Sequence, residues 1–441
     1  MKKWLLIGFM LIAVLMVALT AIYRALLSKD FLISKIEASI NSRVQIGELG
    51  VSLFSIPARV VIANVIVAER DDVVRHGLPH DQRSRLESGE FRIKEVSFDV
   101  SLKELFSKEI KVSQLNVVGA HADLVMNETG ELNIEKLFAA PPGTSEKNDK
   151  KGLNAKDSPG FVAALDRLIL KDASFDMVIK KTGLEMIGRD VNLDLSDIKV
   201  NPNALELVNE AHMQLDAHFE AFSSKKGRLK YGQIGLKGPA RVRLFDPATG
   251  ALAPDAEIDF MIDPSSYVST KAPYVVKLYE VTEQLAKLGL QSKPLPEKLT
   301  FGRERKLKAS HAQNKIDLHE PVSMVMDDWE LVFEGGSWVE LGSEEHRSGV
   351  RLIASAKVSD FVRKHLIKVT EIVPEKSRST LEDELIAQWF VENRLNLKAS
   401  THGALSDPGV KLATPLPDAE KIAKDYAKSK LLDFINEKLL K

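Results

Sequence analysis

The chain carries no cysteine in 441 residues. That excludes a disulfide scaffold, thiol catalysis and thiolate-held zinc or iron–sulfur centres. An excess of charge of one sign is missing too: 61 Lys plus Arg against 62 Asp plus Glu leave a formal net charge of -1. A nucleic-acid binder normally shows a basic excess, so none is expected as partner. The usual catalytic signatures are lacking as well. There is no H-E-x-x-H, no G-x-x-x-x-G-K phosphate loop, no G-x-S-x-G elbow, and no G-x-G-x-x-G after a strand.

The ten histidines are scattered. His212 and His218 share the polar face of one expected strand but lie roughly 20 Å apart, too far to hold one metal. His76 and His80 sit in a charged loop around Pro79. Asp327-Asp328, next to Trp329, reads as a charged turn, because adjacent strand residues point to opposite faces. Asn127-Glu128-Thr129 matches a glycosylation sequon that chance alone supplies in a chain this long. The residues therefore point away from an enzyme, with no cofactor, no metal and no catalytic group.

What is present begins at the N-terminus. Lys2 and Lys3 precede an uncharged run from Trp4 to Ile22, close to the roughly 20 residues that cross a bilayer as a helix. A run this uniform is hydrophobic all round, which suits a membrane span better than a buried core helix. A cleaved signal peptide would carry a shorter apolar run and a small-residue cleavage site, whereas Ala21 pairs with Leu19 and Ala18 with Met16. Residues 1–28 are read as a signal anchor with a cytoplasmic N-terminus. The bulk of the chain is then exported.

After a short helix at Ser34–Asn41, a two-residue repeat takes over, as in half-buried strands. Val44, Ile46, Leu49, Val51 and Leu53 open it. Phe91 and Ile93 follow, then Val96, Phe98, Val100 and Leu102 after a one-residue slip at Glu95, where a β-bulge would fit. Strands are expected at Lys111–Val118, Ala122–Met126, Ala173–Ile179, Val191–Leu195, Ala211–Ala221, Arg241–Leu244 and Glu257–Ile262. Further strands are expected at Lys315–Leu318, Val322–Met326, Trp329–Phe333, Asn396–Thr401 and Val410–Ala413. Gly335-Gly336 reads as a hairpin turn between Phe333 and Trp338. Helical spacing is confined to Tyr274–Leu288, Asp360–Thr370, Leu381–Val391 and Pro417–Leu440. Glu69–Glu90 and Ala139–Gly160 carry loop composition.

So many strands with so few helices must bury one apolar face. A second sheet, a closed barrel, or a curved trough holding apolar ligands would each do so, and alternation does not choose among them.

Three stretches carry a resemblance. Asn41–Asp72, NSRVQIGELGVSLFSIPARVVIANVIVAERDD, follows the anchor. Ser42-Arg43 stands where a Gly-Arg pair is usual, ahead of a "V-x-I-x-N-V-x-V" strand. Leu115–Phe138 contains an apolar strand, a Gly turn (Gly130) and Asn133 before a short helix. Gly403–Ala413, GALSDPGVKLA, is similar to a late "G-x-L-x-D-P-x-V-x-L" strand pair. Together they cover about a fifth of the chain and resemble the AsmA-like family of bacterial envelope proteins. The middle, about Asp190–Ile372, matches no pattern.

The resemblance implies an elongated antiparallel β-groove, taco-like, with a few covering or capping helices. It divides the chain into 1–28 anchor, 29–140 AsmA-like β module, 141–160 linker, 161–415 continued groove with an inserted helix at about 274–288, and 416–441 terminal amphipathic helix. If about 18–20 strands stack at roughly 4.8 Å each, the groove runs on the order of 90 Å. Its interior would contact phospholipid acyl chains through Phe98, Val100, Met213, Leu215, Phe219, Phe260 and Ile262, without doing chemistry. The function implied is inner-membrane-anchored periplasmic lipid binding, assisting lipid transport or outer-membrane homeostasis. Phospholipid, membrane and envelope proteins are the partners. The alternative is a dry structural scaffold for envelope-protein assembly. Helix 274–288 is read as a lid or plug, and the terminal helix as a cap on the sheet, with anionic lipid or a partner as its rival.

Overall fold

The computed structural model describes residues 28–39, 42–52, 58–69, 90–100, 114–128, 132, 133, 137, 165–223, 227–250, 252–283, 296–413 without 342, 344, 372 and 374, and 421–431 without 422 and 430. The expected anchor at 1–28, but for Ser28, and nearly all of the two loop segments lie outside these residues. Among the described residues no helix is long and apolar enough to cross a membrane.

The chain is mainly β, and its strands fall into two compact units. The first comprises 1–217 with 241–254, the second 218–240 with 255–441. Three strands, β7 (Asn209–Ser223), β8 (Leu229–Phe245) and β9 (Leu252–Ile262), contribute residues to both units. Twenty strands appear among the described residues, at the upper end of the number expected.

In the first unit α1 (Lys29–Ser39) leads into β1 (Ser42–Ser52), β2 (Ala58–Glu69), β3 (Phe91–Val100), β4 (Gln114–Met126), β5 (Arg167–Ile179) and β6 (Leu184–Val200). Strands β1 to β4 pair antiparallel in order, but β4 and β5 pair parallel, from Gln114 with Arg167 to Met126 with Ile179. The sheet is therefore mixed, which corrects the all-antiparallel expectation. A parallel neighbour needs a crossover connection of a dozen or more residues, and the chain between β4 and β5 supplies that length.

A transverse row crosses this unit. Gly47, Asn64, Lys94, Gly119 and Asp172 sit at one level of β1 to β5, flanked by the pairs Ile46–Val65, Ile93–Ala120 and Val118–Lys171. Asn64, Gly119 and Asp172 have φ of 55, 63 and 52°, and Asp190 on β6 has 49°. At this row the apolar residues step by three instead of two: 44/46 then 49/51, 60/62 then 65/67, 91/93 then 96/98, 115/117 then 120/122, 168/170 then 173/175. The slip noted at Glu95 belongs to this row, but it is no bulge. Val65 pairs Ile93 and Ala63 pairs Glu95, so neither strand gains a residue. All five strands take the step together, and register survives. A register shift appears instead between β5 and β6, around Ala173. Glycine is required where neighbouring side chains cross the row: a Cβ on Gly119 would lie 2.9 Å from the Lys94 Cβ, besides sitting at positive φ.

The second unit contains most of β9, then β10 (Tyr267–Ser269), α2 (Pro273–Glu283), β11 (Lys298–Thr300), β12 (Arg305–Ala312), β13 (Lys315–Leu318), β14 (Val322–Met326), β15 (Trp329–Phe333), β16 (Trp338–Glu340) and β17 (Glu345–Ala354). It ends with α3 (Ala356–Thr370), α4 (Glu375–Trp389), β18 (Phe390–Val391), β19 (Arg394–Ala404), β20 (Gly409–Leu412) and helical residues within 421–431. β13, β14 and β15 have the bounds read from alternation, and Asp327-Asp328 forms the tight turn between β14 and β15. The Gly335-Gly336 hairpin does not form. β15 and β16 both pair with β17, so the glycines carry an excursion between two strands on one partner. A Cβ on Gly335 would lie 2.5 Å from the His319 carbonyl oxygen.

Helices cover this unit. On α3, capped by Ser355 whose side chain accepts from the Val358 N–H, Val362 and Leu366 recur four residues apart and are 0 % and 1 % exposed. They join Leu381 and Trp389 of α4, Leu278 of α2, and Leu331, Leu352, Leu395 and Leu397 of the strands in one buried core. Ala423 and Tyr426 of the last helical residues pack on the same core, as the capping reading of the terminal helix expected.

Candidate functional site: an apolar sheet face

The transverse row divides the apolar face of the first unit into two halves. On one half, Leu32, Ile33 and Ile36 of α1 cover Val44, Ile46, Val65 and Val67, with Phe91 and Ile93 beside them. α1 is tied down by Glu37, which accepts from the Val44 N–H at 2.9 Å. Ile62, beyond the row, packs against the same cluster, so both halves share one face. On the far half lie Leu49 and Val51, Val60 and Ile62, Val96 and Phe98, Leu115 and Val117, Leu168 and Leu170, Leu193 and Leu195. Only Val60 and Leu195 are buried there; the others are half-buried. Among the described residues α1 is the one helix of this unit.

Such a face has no polar side chain in its rows and offers nothing but aliphatic and phenyl contact. Its chemistry is burial: each methylene removed from water there contributes about 0.8 kcal/mol. Contact of that kind suits a flexible hydrocarbon without selecting a head group.

Of the residues expected on an apolar interior, Phe98 stands in this half, paired with Val60 and Leu115. Val100 pairs Ala58 at the end of β3, and its side chain lies outside the described set. Met213 and Leu215 are half-buried on β7 in the first unit, alternating with exposed His212 and Gln214. Phe219 is half-buried in the second unit. Phe260 and Ile262, also in the second unit, are 4 % and 2 % exposed. Ile262 packs with Ala272, Val275, Leu299, Phe301 and Met324, so α2 covers it. The six described side chains are thus divided between half-buried positions (Phe98, Met213, Leu215 and Phe219) and buried ones (Phe260 and Ile262). Leu168, Leu170 and Leu193 were not singled out, although L-I-L at 168–170 alternates with the correct period.

A polar cluster occupies β3 to β6. His121 Nε2 lies 3.3 Å from Asp123 Oδ1 and 4.0 Å from Asp176 Oδ2, close enough together to suggest three metal ligands. Each carboxylate already holds a guanidinium: Arg92 donates to Asp123 at 3.4 Å and Arg189 to Asp176 at 2.7 Å. Arg92 also bonds Glu90, and the other His121 nitrogen meets Ser174 at 2.8 Å. The guanidiniums hold Asp123 Oδ2 and Asp176 Oδ1, the oxygens turned away from His121, and their two positive charges already balance the carboxylates, so the cluster reads as an ion-pair network stitching four strands. Its signal in the sequence was the i, i+2 spacing of His121-Asp123 and Ser174-Asp176. Asn133 caps β4 nearby, its amide donating to the Asp123 carbonyl and accepting from the Val125 N–H.

A buried polar chain in the second unit runs from α2 into the sheet. The Tyr274 hydroxyl is 2.8 Å from Thr401 Oγ1, which is 3.0 Å from His346 Nε2. His346 Nδ1 donates to the Gly403 carbonyl at 2.5 Å, which fixes the tautomer so that Nε2 accepts. Burial holds the imidazole below its ordinary value near 6.5 and raises the Tyr274 hydroxyl above its own.

Fold and face together define a mainly-β protein with one apolar sheet face left partly open. The model of the AsmA family matches residues 1–244, more than half the length, and the chain belongs to the AsmA family. No curated protein and no solved structure matches it. Family membership is compatible with an envelope lipid-related role.

Proposed function

We propose that the protein is an inner-membrane-anchored, periplasmic binder of phospholipid acyl chains that assists lipid transport between membranes or outer-membrane homeostasis, and that it is not an enzyme. The observation behind this reading is the half-buried aliphatic face spread over β1 to β6. Contiguous apolar surface of that extent marks a binding site on soluble surfaces. Membership of the AsmA family supports the envelope setting. Phe98, with Met213 and Leu215, would touch the chains of bound lipid. Val100, Phe219, Phe260 and Ile262 complete the proposed contact set, Ile262 only once α2 moves.

Native mass spectrometry of the full chain in mild detergent tests this. Copurified phospholipid is the expected result, reduced when Phe98 and Val117 are both replaced by Asp. A protein that emerges without lipid, in wild type and variant alike, contradicts the reading. The second unit favours the alternative of a dry scaffold for envelope-protein assembly, because α2, α3 and α4 bury much of its apolar face, with Tyr231, Ile234, Leu236 and Leu307 left half-buried. Crosslinks from Phe98 to protein rather than lipid would turn the conclusion that way.

A further inference from the structure

We infer that α2 is a lid, latched through Tyr274, Thr401 and His346, and that releasing it opens a second acyl-chain site on β11, β15 and β17. The inference rests on the lipid-binding reading for its ligand, and on geometry alone for the lid. α2 is wedged between two cores: Leu278 belongs to the cluster with Leu331 and Leu352, and Val275 to the one with Leu299 and Phe301. Between helix and strands is a crevice lined by Val275, Leu278, Tyr279, Leu299, Leu331 and Leu352, with room for about one water molecule. In the closed form an acyl chain does not fit. With α2 lifted, Leu299, Leu331 and Leu352 become a strip of sheet of the same chemistry as the open face of the first unit.

The latch is polar, and the rest of the contact is not. Tyr274 lies edge-on to His346, with ring centroids 5.3 Å apart, and is tilted against Phe333 at 5.8 Å. His346 is 2 % exposed and Thr401 0 %. Thr401 Oγ1 gives its proton to Nε2 and accepts the Tyr274 proton, so one hydrogen-bond direction is fixed along the chain. A proton arriving at Nε2 reverses it and places a charge in an apolar setting. The titratable groups acting there are Glu345 on β17, which favours the charged imidazole, His402 on β19, which opposes it, and Tyr274 on α2, which stays neutral. Burial outweighs the Glu345 contribution. Below about pH 6.5 protonation therefore works against the latched state.

Hydrogen exchange of the full chain in mild detergent, corrected for intrinsic rates, tests the lid. Between pH 7.5 and 5.5 the amides of α2 are expected to lose protection, by at most about tenfold for one histidine, while those of α3 hold. His346→Gln should abolish this response, and Tyr274→Phe should loosen α2 already at neutral pH. The lid is overturned if α2 keeps its protection on acidification, if α2 and α3 lose it in step, or if His346→Gln responds like wild type. Uptake of a pyrene-labelled fatty acid at pH 5.5 by a Phe98→Asp, Val117→Asp variant reads the second site separately. Opening without uptake overturns that site, whereas the open face of the first unit stands or falls on copurified phospholipid in the wild type.

Discussion

The two units share strand chemistry and differ in what lies on it. In the first, α1 and the cluster beneath it reach Ile62, just past the transverse row, and beyond it the aliphatic rows stay half-buried apart from Val60 and Leu195. In the second, α2, α3 and α4 bring Leu278, Val362, Leu366, Leu381 and Trp389 onto the strands, and nearly every member of the core is below 5 % exposure. A sheet face that is sealed by side chains contributes to folding; one left partly open keeps its burial energy for something else. The difference separates a stabilising surface from a binding surface within one chain.

The largest contrast should come from truncating equivalent aliphatics. Leu366→Ala in the second unit should cost about 2–5 kcal/mol in chemical denaturation, because no neighbour can fill the space. Val117→Ala on the open face should cost less than about 1 kcal/mol and weaken lipid retention instead. If the two losses were equal, the face of the first unit would be a closed core. Next in size is Gly119→Ala, where positive φ and the 2.9 Å approach to Lys94 combine, with about 1–3 kcal/mol expected in the first unit. Asn133→Ala removes the cap on β4 and should cost about 0.5–2 kcal/mol.

The second unit should also weaken in acid. His346 is held below its ordinary value, so its neutral form belongs to the folded state. Stability is then complete above the unfolded value near 6.5 and declines as pH falls below it, while His346→Gln flattens the profile. The smallest effect is expected from Arg189→Gln. Its bond to Asp176 is half-exposed, and a loss below about 1 kcal/mol would place the ion-pair cluster among ordinary surface pairs. Metal bound by the wild type and lost in Asp123→Asn would revive the cluster as a cation site.

Much of this organisation was legible. Strict alternation located β13, β14 and β15 to the residue, because short strands with one buried face carry a clean two-residue period. The three-residue step at Ile93–Val96 was visible too, yet its meaning was not. A bulge and an in-register step shared by all neighbours look alike in one strand, and only the pairing of Ala63 with Glu95 separates them. β8 and β12 were largely hidden: LKYGQIGLKGPARVRLF spreads Gly and Pro through a strand, and RKLKASHA puts lysines on its outer face. The parallel pairing of β4 with β5 had no local signal, since alternation is the same in both directions. For the site, Phe98 was found through its period. The covering of Ile262 was not, because the helix that buries it follows in sequence and hydropathy does not say where a helix lands.

Site-specific photocrosslinking in intact cells tests the central claim most directly. With a photoreactive phenylalanine at Phe98 or Val117 the account expects phospholipid adducts, and with one at Val362 it expects none. Protein adducts or no adducts at Phe98 and Val117, in a chain that remains folded, would contradict it.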